Sequence, residues 1–259
     1  MAVFNHYIIN AVGSTERRQS IIETFRRQGL EPRFFTAIMG KELSIEERRK
    51  YDGSYGLLDP GELGCALSHL SIYQELLDSS EPYMYIFEDD IQLIDGFTKI
   101  FDGIHTFLMG HKKPCIIRLF PYPEVHRICF SIDSDVSILE ELSGTRTCGY
   151  IINRAAAANI LQVQSPVKFE IDSFYTYRKL GLLKIYSLSK AMVTLFEKNS
   201  RISTIGEQGQ RAAHLTNKEK ATLKDKAIRE IYHSFSGSQK MRVHWLRLQY
   251  HWQKLMWHK

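Results

Sequence analysis

The chain has 259 residues, of which 44% are hydrophobic and 24% charged, and its net charge is +5 at pH 7. This length suits one large domain or one domain with a small appendage, and the composition is that of an ordinary globular protein. No run approaches the roughly 20 apolar residues needed to cross a bilayer. The first residues, MAVFNHYIIN, also lack the basic region and cleavage-like site of a signal peptide. We therefore expect a cytoplasmic protein.

The positive charge is concentrated towards the C-terminus. Residues 216–259 contain ten lysines and arginines against three acids, a net charge of +7, which leaves −2 for residues 1–215. A slightly acidic body argues against nucleic-acid binding by the fold as a whole. We therefore expect no nucleic-acid partner.

Four cysteines are spread widely along the chain, and none forms a C-x-x-C pair. This spacing predicts free, mostly buried thiols and argues against a zinc site. The four are Cys65, Cys115, Cys129 and Cys148.

The first forty residues predict a strand, a helix and a second strand. The apolar run HYIINAV is typical of a buried strand, and the helix that follows has Ser14 as its N-cap and Gly29 as its stop. The second strand lies within EPRFFTAIMG. This order indicates a β-α-β opening.

A loop then leads to a strongly signalled helix in LDPGELGCALSHLSIYQELLDSS. Asp59 is a good N-cap, Pro60 occupies the first helical position, and Glu62 stands three residues after the cap. Apolar residues recur behind this start at spacings of three and four.

Strand and helix patterns alternate through the rest of the body. The segments PYMYIF, PCIIRLF, TCGYIIN and LLKIYSLSKAMVTLF predict strands, whereas RAAAANILQ and IDSFYTYRKLG predict helices. Alternation of this kind predicts an α/β domain with a largely parallel sheet, which we place at residues 1–215. In such sheets, ligands bind beyond the carboxyl ends of the strands.

Residues 216–259 predict a basic helical extension of two helices separated by SGS. The first begins at Thr216, with Glu219 three residues later. On the second, basic residues lie opposite an apolar stripe. The stripe consists of Met241, Trp245, Leu248, Trp252, Leu255 and Met256, and the basic side of Lys240, Arg247, His251, Lys254 and His258. This pattern predicts an interfacial membrane helix, or one that packs on the body or on a second copy in a homodimer.

Three adjacent carboxylates, Glu88, Asp89 and Asp90, follow the strand YMYIF. Crowded carboxylates repel one another unless a positive charge lies between them, and a hard divalent cation bound to a diphosphate supplies that charge. The alternative is a solvated turn in which Asp90 caps the next segment. Both interpretations remain open on the residues alone.

Four segments together resemble glycosyltransferase family 25, over roughly residues 5–200. They are YIINAVGSTERRQSIIETFRRQGLEPRFFTAIMG, LDPGELGCALSHLSIYQELL, PYMYIFEDDIQL and GTRTCGYIINRAAA, in that order. The family includes bacterial lipooligosaccharide galactosyl- and glucosyltransferases, and the chain resembles the Pasteurellaceae enzymes among them. The resemblance implies a GT-A-like fold, a UDP-galactose or UDP-glucose donor, a lipooligosaccharide acceptor and inversion at the anomeric carbon. It places the enzyme at the cytoplasmic face of the inner membrane.

The resemblance also implies a Mn²⁺ or Mg²⁺ site. Asp90 is the first choice as ligand, Asp89 the second, and Glu88 an outer group.

The donor is expected at the turn after the first strand. Asn10 ends that strand, and Arg17 and Arg18 lie in the first turns of the helix, where an anion is favoured; exposed helix arginines are the alternative. Ala37 and Gly40 match the family's uracil-side segment.

Polar groups on the next helix and strand are further candidates for binding the nucleotide sugar. Glu62, Ser68 and His69 share one helix face, although a histidine in a core is an ordinary alternative. Arg118 stands in an apolar strand and needs an anionic partner. That partner is either the acid cluster or a substrate.

An inverting transfer requires a base, and the segment FEIDSFY offers Asp172 and Glu170. Asp172 matches a family position and is the first choice, with a plain helix N-cap as the alternative. Asn199 and Ser200 match another family segment that shapes the site. The sequence therefore predicts a hexosyltransferase, and a catalytically silent relative that binds glycans or scaffolds a complex is the alternative.

Overall fold

Ten strands are present in this computed structural model, which describes residues 4–121, 126–196 and 215–257. They are β1 (His6–Asn10), β2 (Phe34–Thr36), β3 (Tyr83–Glu88), β4 (Ile91–Leu93), β5 (Cys115–Arg118), β6 (His126–Ser131), β7 (Ser137–Glu141), β8 (Gly149–Asn153), β9 (Lys184–Leu188) and β10 (Val193–Leu195). Eight of them form one sheet in the order β2-β1-β3-β8-β5-β9-β7-β6, and β10 pairs with β4 in a separate ribbon.

The large sheet is mixed, but most of its strands run in one direction. β1 is parallel to both β2 and β3, and β5 is parallel to β9. β8 is antiparallel to its neighbours β3 and β5, and β7 is antiparallel to β9 and β6. The predicted α/β class is therefore confirmed, with β7 and β8 as the two strands that run in the opposite direction.

Eight α-helices accompany the strands in the described residues. They are α1 (Thr15–Arg27), α2 (Ile45–Tyr51), α3 (Pro60–Asp78), α4 (Phe101–Gly110), α5 (Arg154–Val163), α6 (Phe174–Lys179), α7 (Asn217–Ser234) and α8 (Gly237–Met256). α2 lies where the sequence predicts a loop. It buries no residue and is held by a capping box between Ser44 and Glu47, so it lacks the apolar periodicity by which helices are recognised.

The predicted starts of the longer helices are confirmed to different degrees. At α3 the amide of Glu62 donates to Asp59 at 2.8 Å and the amide of Asp59 donates to Glu62 at 3.0 Å, forming the expected capping box. Thr216 and Glu219 form another at α7. Ser14 occupies the N-cap position of α1, but its side chain makes no capping hydrogen bond.

The central strands of the sheet, such as β3, β5 and β8, are buried on both faces. Met84 and Ile86 of β3 enter one core, which α3, α5 and α6 cover, whereas Tyr85 and Phe87 enter the other, towards α1 and α4. Successive side chains of a strand point to opposite faces, so a strand covered on both sides is apolar throughout. This explains why β3 is continuously apolar until its carboxyl end.

The C-terminal helices pack on the body. Ala227 and Ile231 of α7 and Val243 of α8 are at most 2% exposed and belong to the core that also contains Leu180 and Leu183. None of the helices in the described ranges is long and apolar enough to cross a membrane.

The surface of α8 has three sides rather than the predicted two. The side opposite the apolar stripe packs against α6, where Tyr250 lies beside Tyr175 and Gln253 accepts a hydrogen bond from Arg178 at 2.8 Å. The basic residues within the described range, Arg247, His251 and Lys254 among them, therefore flank the stripe instead of lying opposite it. His258 lies outside the described residues. The six apolar residues of the stripe are between 56% and 81% exposed.

Candidate active site

A pocket of about 430 Å³ opens at the carboxyl ends of β1 and β3. The two strands are parallel neighbours, with Ile9 opposite Glu88, so the residues that follow them meet at one edge of the sheet. Most of the residues predicted for the site line this pocket. They are Arg17, Ala37, Gly40, Glu62, Ser68, His69, Glu88, Asp89, Asp90, Glu170 and Asp172.

The charge of the Asp89 carboxylate is compensated by residues at the first strand-to-helix turn. Asn10 donates to its Oδ2 at 2.8 Å and Arg17 donates to its Oδ1 at 2.9 Å. Arg18 instead lies over the ring of Phe34, 3.7 Å from its centroid, and is exposed. Of the two predicted arginines, Arg17 therefore enters the pocket, and its contact there is with the acid cluster.

Asp90 is the acid of the triplet with the least compensation. Its Oδ1 is buried and has no hydrogen-bond partner among the described residues. Burial, followed by the charge of Glu88, raises the pKa of Asp90 from 3.8 to about 6, although Arg17 opposes the change. A carboxylate held in this way favours any cation that reaches it.

Glu88 contacts both a neighbouring loop and α3. It accepts a short hydrogen bond from the hydroxyl of Thr147, and its Oε1 lies 3.8 Å from Nε2 of His69. The other ring nitrogen of His69, Nδ1, is 2.8 Å from the hydroxyl of Tyr150, which in turn lies 2.6 Å from that of Tyr73. This fixes the orientation of a fully buried imidazole towards the pocket.

Cys65 stands one helical turn before His69 on α3. Its thiol, the His69 ring and the Glu88 carboxylate each offer a ligand atom, and these atoms lie within 4.8 Å of one another. Burial and then the nearby carboxylates raise the pKa of Cys65 well above its ordinary value. Within the described residues, no group of three that includes Asp89 or Asp90 is brought together in this way.

One wall of the pocket forms where the loop after β2 lies against the start of α3. A Cβ atom on Gly64 would lie 2.3 Å from the carbonyl oxygen of Ile38, and one on Gly40 would lie 1.7 Å from that of Pro60. Only glycine permits this approach. Ser68 reinforces it by accepting from the amide of Ile38 at 2.8 Å. Gly40 and Ser68 thus shape the wall through backbone contacts.

The two predicted bases have different surroundings. Burial would raise the pKa of Glu170, but Lys224, 2.7 Å away, holds it below its usual value. Burial also raises the pKa of Asp172, and the charges of Glu170 and Glu88 add to the effect. Asp172 accepts from the amide of Arg146 at 3.3 Å. Asp172 is therefore better suited to accept a proton near neutral pH.

The prediction that Arg118 contacts the acid cluster or a substrate is wrong. Arg118 is fully buried, pairs with Glu141 of β7 at 2.5 Å and lies outside the pocket lining. Glu141 also accepts from Ser187 of β9 at 2.5 Å. These contacts satisfy a buried cation between strands, so Arg118 has a structural role.

Several lining residues were not predicted from the sequence. Lys41 and Arg146 place exposed cations at the pocket rim, and Arg146 has a left-handed backbone with φ of 73°. Such strain in a residue other than glycine occurs preferentially at functional sites. For Cys65 a signal was present, since its spacing of four from His69 places both on one helix face. The predicted Asn199 and Ser200 lie outside the described residues.

Comparison with known proteins identifies the family of this chain. Residues 4–175 match the family model described as Glycosyltransferase family 25 (LPS biosynthesis protein). The chain belongs to glycosyltransferase family 25. The acid triplet and most of the pocket wall fall within the matched residues, which confirms the resemblance found in the sequence.

Individual relatives of this family 25 chain are similar over different lengths. Lacto-N-neotetraose biosynthesis glycosyltransferase LgtE of Neisseria gonorrhoeae is 31% identical over 209 residues, 73% of each chain. LgtB of Neisseria meningitidis serogroup B is 32% identical over 36% of this chain and 35% of its own. A glycosyltransferase 25 family member of Aedes aegypti is 32% identical over 38% of this chain and 18% of its own. The chain thus spans well under two thirds of the length of the last two.

Proposed function

We propose that this chain is a metal-dependent, inverting glycosyltransferase that moves galactose or glucose from a UDP-sugar to a lipooligosaccharide. The observation that carries the proposal is one pocket lined by partly uncompensated carboxylates from two separate segments of the chain. Asp90 lies at the end of β3, and Asp172 lies on the segment before α6. Transfer from a nucleotide sugar needs a cation for the leaving diphosphate and a base for the attacking hydroxyl, and these groups match the two needs.

The fit of a hard divalent cation rests on Asp90. Its buried Oδ1 lacks a partner within the described ranges, and carboxylate oxygen is the ligand that Mn²⁺ and Mg²⁺ prefer. Glu88 is only an outer group of this site, and Asp89 is engaged by Arg17. A cation held there would supply positive charge for the UDP leaving group. Lys41 and Arg146 at the rim offer further positive charge to the diphosphate.

Asp172 is our choice for the base. In the proposed step, the acceptor hydroxyl oxygen attacks the anomeric carbon while its proton passes to the Asp172 carboxylate. The bond from the anomeric carbon to the UDP oxygen breaks, and its electron pair leaves with UDP. Glu170 is held in an ion pair by Lys224, which lowers its readiness to accept that proton.

The test of donor binding is calorimetric titration of UDP with and without Mn²⁺. We expect binding that requires Mn²⁺ and is lost in Asp90→Ala, and we expect it to persist in Asp95→Ala, which removes an exposed carboxylate after β4. If UDP does not bind, the donor site is refuted and the glycan-binding relative is favoured. Binding that is indifferent to both Mn²⁺ and Asp90→Ala would refute the metal site.

The test of the base is transfer from UDP-galactose and UDP-glucose to truncated lipooligosaccharide. Loss of general-base catalysis costs roughly 10²–10⁴-fold in rate. We expect a loss of this size in Asp172→Asn with UDP binding unchanged, and a smaller loss in Glu170→Gln. The reverse order would move the base to Glu170.

We further propose that α8 docks on an anionic membrane surface, where the acceptor's lipid lies. Its apolar stripe is exposed beside Arg247 and Lys254, and α8 contains no acid. A cationic surface is complementary to anionic lipid headgroups, whereas a second α8 would bring like charges together. We therefore favour a membrane surface over a homodimer.

Sedimentation with vesicles tests this docking. We expect the chain to bind phosphatidylglycerol vesicles, to bind phosphatidylcholine vesicles far more weakly, and to lose binding in Trp245→Ala/Trp252→Ala. Trp257→Ala is the matched control, because Trp257 packs on the body. The guanidinium carbon of Arg127 lies 5.2 Å from the centroid of the Trp257 ring. If the double variant instead converted a dimer to a monomer and left vesicle binding unchanged, the stripe would be a dimer interface.

A further inference from the structure

We propose that Cys65, His69 and Glu88 form a binding site for a zinc-class transition-metal ion at the floor of the pocket, separate from the hard-cation role of Asp90. The proposal does not depend on sugar transfer, since it concerns only which ion these three side chains bind. It differs from the expectation that the cysteines argue against a zinc site. The sequence spacing excludes a C-x-x-C site, but it does not exclude a site completed by another element.

The geometry of the three ligand atoms supports the site. All lie within 4.8 Å of one another, and the His69 and Glu88 atoms are 3.8 Å apart. Ligands bound tetrahedrally at zinc distances lie roughly 3.3–3.6 Å apart, so a modest side-chain adjustment closes the set. Three protein ligands leave a fourth position open towards the pocket, which is also the route by which an ion enters.

An independent observation points to a ligand at this place. Nε2 of His69 is fully buried, lines the pocket and has no hydrogen-bond partner in the described part of the chain. If His69 donates through Nδ1 to Tyr150, Nε2 directs a lone pair towards Glu88. If Tyr150 donates instead, Nε2 carries a proton that does not reach Glu88 across 3.8 Å. An ion at Nε2 provides the missing contact.

The surroundings of His69 resemble those of a metal-binding histidine. Such histidines usually donate their second ring nitrogen to a fixed oxygen, which sets the tautomer and ring orientation. Tyr150 offers such an oxygen here, 2.8 Å from Nδ1, and the hydroxyl of Tyr73 lies 2.6 Å from that of Tyr150.

The donor set determines the class of ion. A thiolate and an imidazole favour zinc and similar transition metals, whereas Mg²⁺ and Mn²⁺ favour oxygen ligands. Binding replaces the thiol proton of Cys65, which is released to solvent, so the affinity should rise with pH.

Cobalt substitution tests the site in the full chain without measuring activity. After treatment with a chelator, the protein is titrated with Co²⁺, whose bond to a thiolate produces an intense near-ultraviolet charge-transfer band. We expect one equivalent of Co²⁺ to produce the band in the native chain and one equivalent of Zn²⁺ to displace it. A native chain without the band at that stoichiometry would overturn the proposal, and this result does not depend on the folding of any variant.

Variants then locate the site. We expect Cys65→Ser to abolish the band and His69→Gln to weaken Co²⁺ binding at least about tenfold. Cys129→Ser is the matched control, since Cys129 is an exposed thiol, and Asp90→Ala should also retain the band because it alters only the hard-cation site. A band that survives Cys65→Ser, or disappears in Cys129→Ser, would show adventitious binding elsewhere. Failure of UDP binding with the band intact would refute only the proposed function.

Discussion

Replacing Asp90 by Asn should stabilise the metal-free protein, and the effect should depend on pH. The pKa of Asp90 is raised from 3.8 to about 6, chiefly by burial. The folded state therefore disfavours the ionised form. The contribution of Asp90 to stability is complete below pH 3.8 and is lost as the pH rises through about 6. A difference of about 2 pH units corresponds to roughly 3 kcal/mol.

The assay is urea unfolding of both proteins at pH 4 and pH 8 in the presence of a chelator. At pH 8 we expect the free energy of unfolding of Asp90→Asn to exceed that of the native chain by roughly 2–3 kcal/mol, and at pH 4 by less than about 1 kcal/mol. Adding Mn²⁺ should stabilise the native chain but not the variant, because the ion needs the carboxylate.

The control for this experiment is Asp133→Asn, for which the sign is opposite. The amides of Asp135 and Val136 lower the pKa of Asp133, so its ionised form stabilises the folded state and is lost as the pH falls. We expect this variant to be less stable than the native chain at pH 8. Two outcomes would contradict this reasoning: Asp90→Asn no more stable than the native chain at pH 8, or a gain in stability that is the same at both pH values. Either would show that the ionised Asp90 carboxylate is not disfavoured by the folded state.

Two further variants test the pocket walls. Gly64→Ala places a Cβ 2.3 Å from a backbone oxygen, so thermal unfolding should show a loss of stability of about 1–3 kcal/mol. The control is Gly110→Ala, whose Cβ would have no atom of the described residues within 4 Å and should cost no stability. Equal losses in the two variants would refute the close approach at Gly64. Arg17→Met leaves the carboxylate of Asp89 buried without its cation, and the free energy of unfolding should fall by about 3 kcal/mol. Because Arg18 is exposed, Arg18→Met should lower it by less than about 1 kcal/mol. Comparable losses in both arginine variants would show that the ion pair contributes little.

Local signals in the sequence predicted the elements that position the site. The cap formed by Asp59 and Glu62 fixes the start of α3, and the apolar run before Glu88 fixes the end of β3. Both depend on residues within one helix turn or one strand, where pattern and propensity determine the outcome.

Contacts between elements could not be predicted in this way. Arg118 pairs with Glu141 because β7 and β5 both adjoin β9, and neither β7 nor the strand order is evident from the chain. Cys65 and His69 share a helix face that can be inferred from their spacing, but that Glu88 faces them follows only from how α3 lies against β3. Local pattern therefore identified most of the groups in the pocket, whereas tertiary packing determines their partners.

Three adjacent acids at the end of a buried strand are tolerated because each has different surroundings. Asp89 accepts hydrogen bonds from Asn10 and Arg17, and Glu88 accepts one from Thr147. Among the described residues, Asp90 has no such partner for its buried Oδ1, and burial raises its pKa. If the acids served only to cap a turn, full compensation of all three would be the more stable arrangement. The free-energy cost of burying a poorly compensated carboxylate therefore falls on Asp90. That cost, in a pocket that also contains Asp172, is the feature of the fold that most favours binding of a cation and its diphosphate.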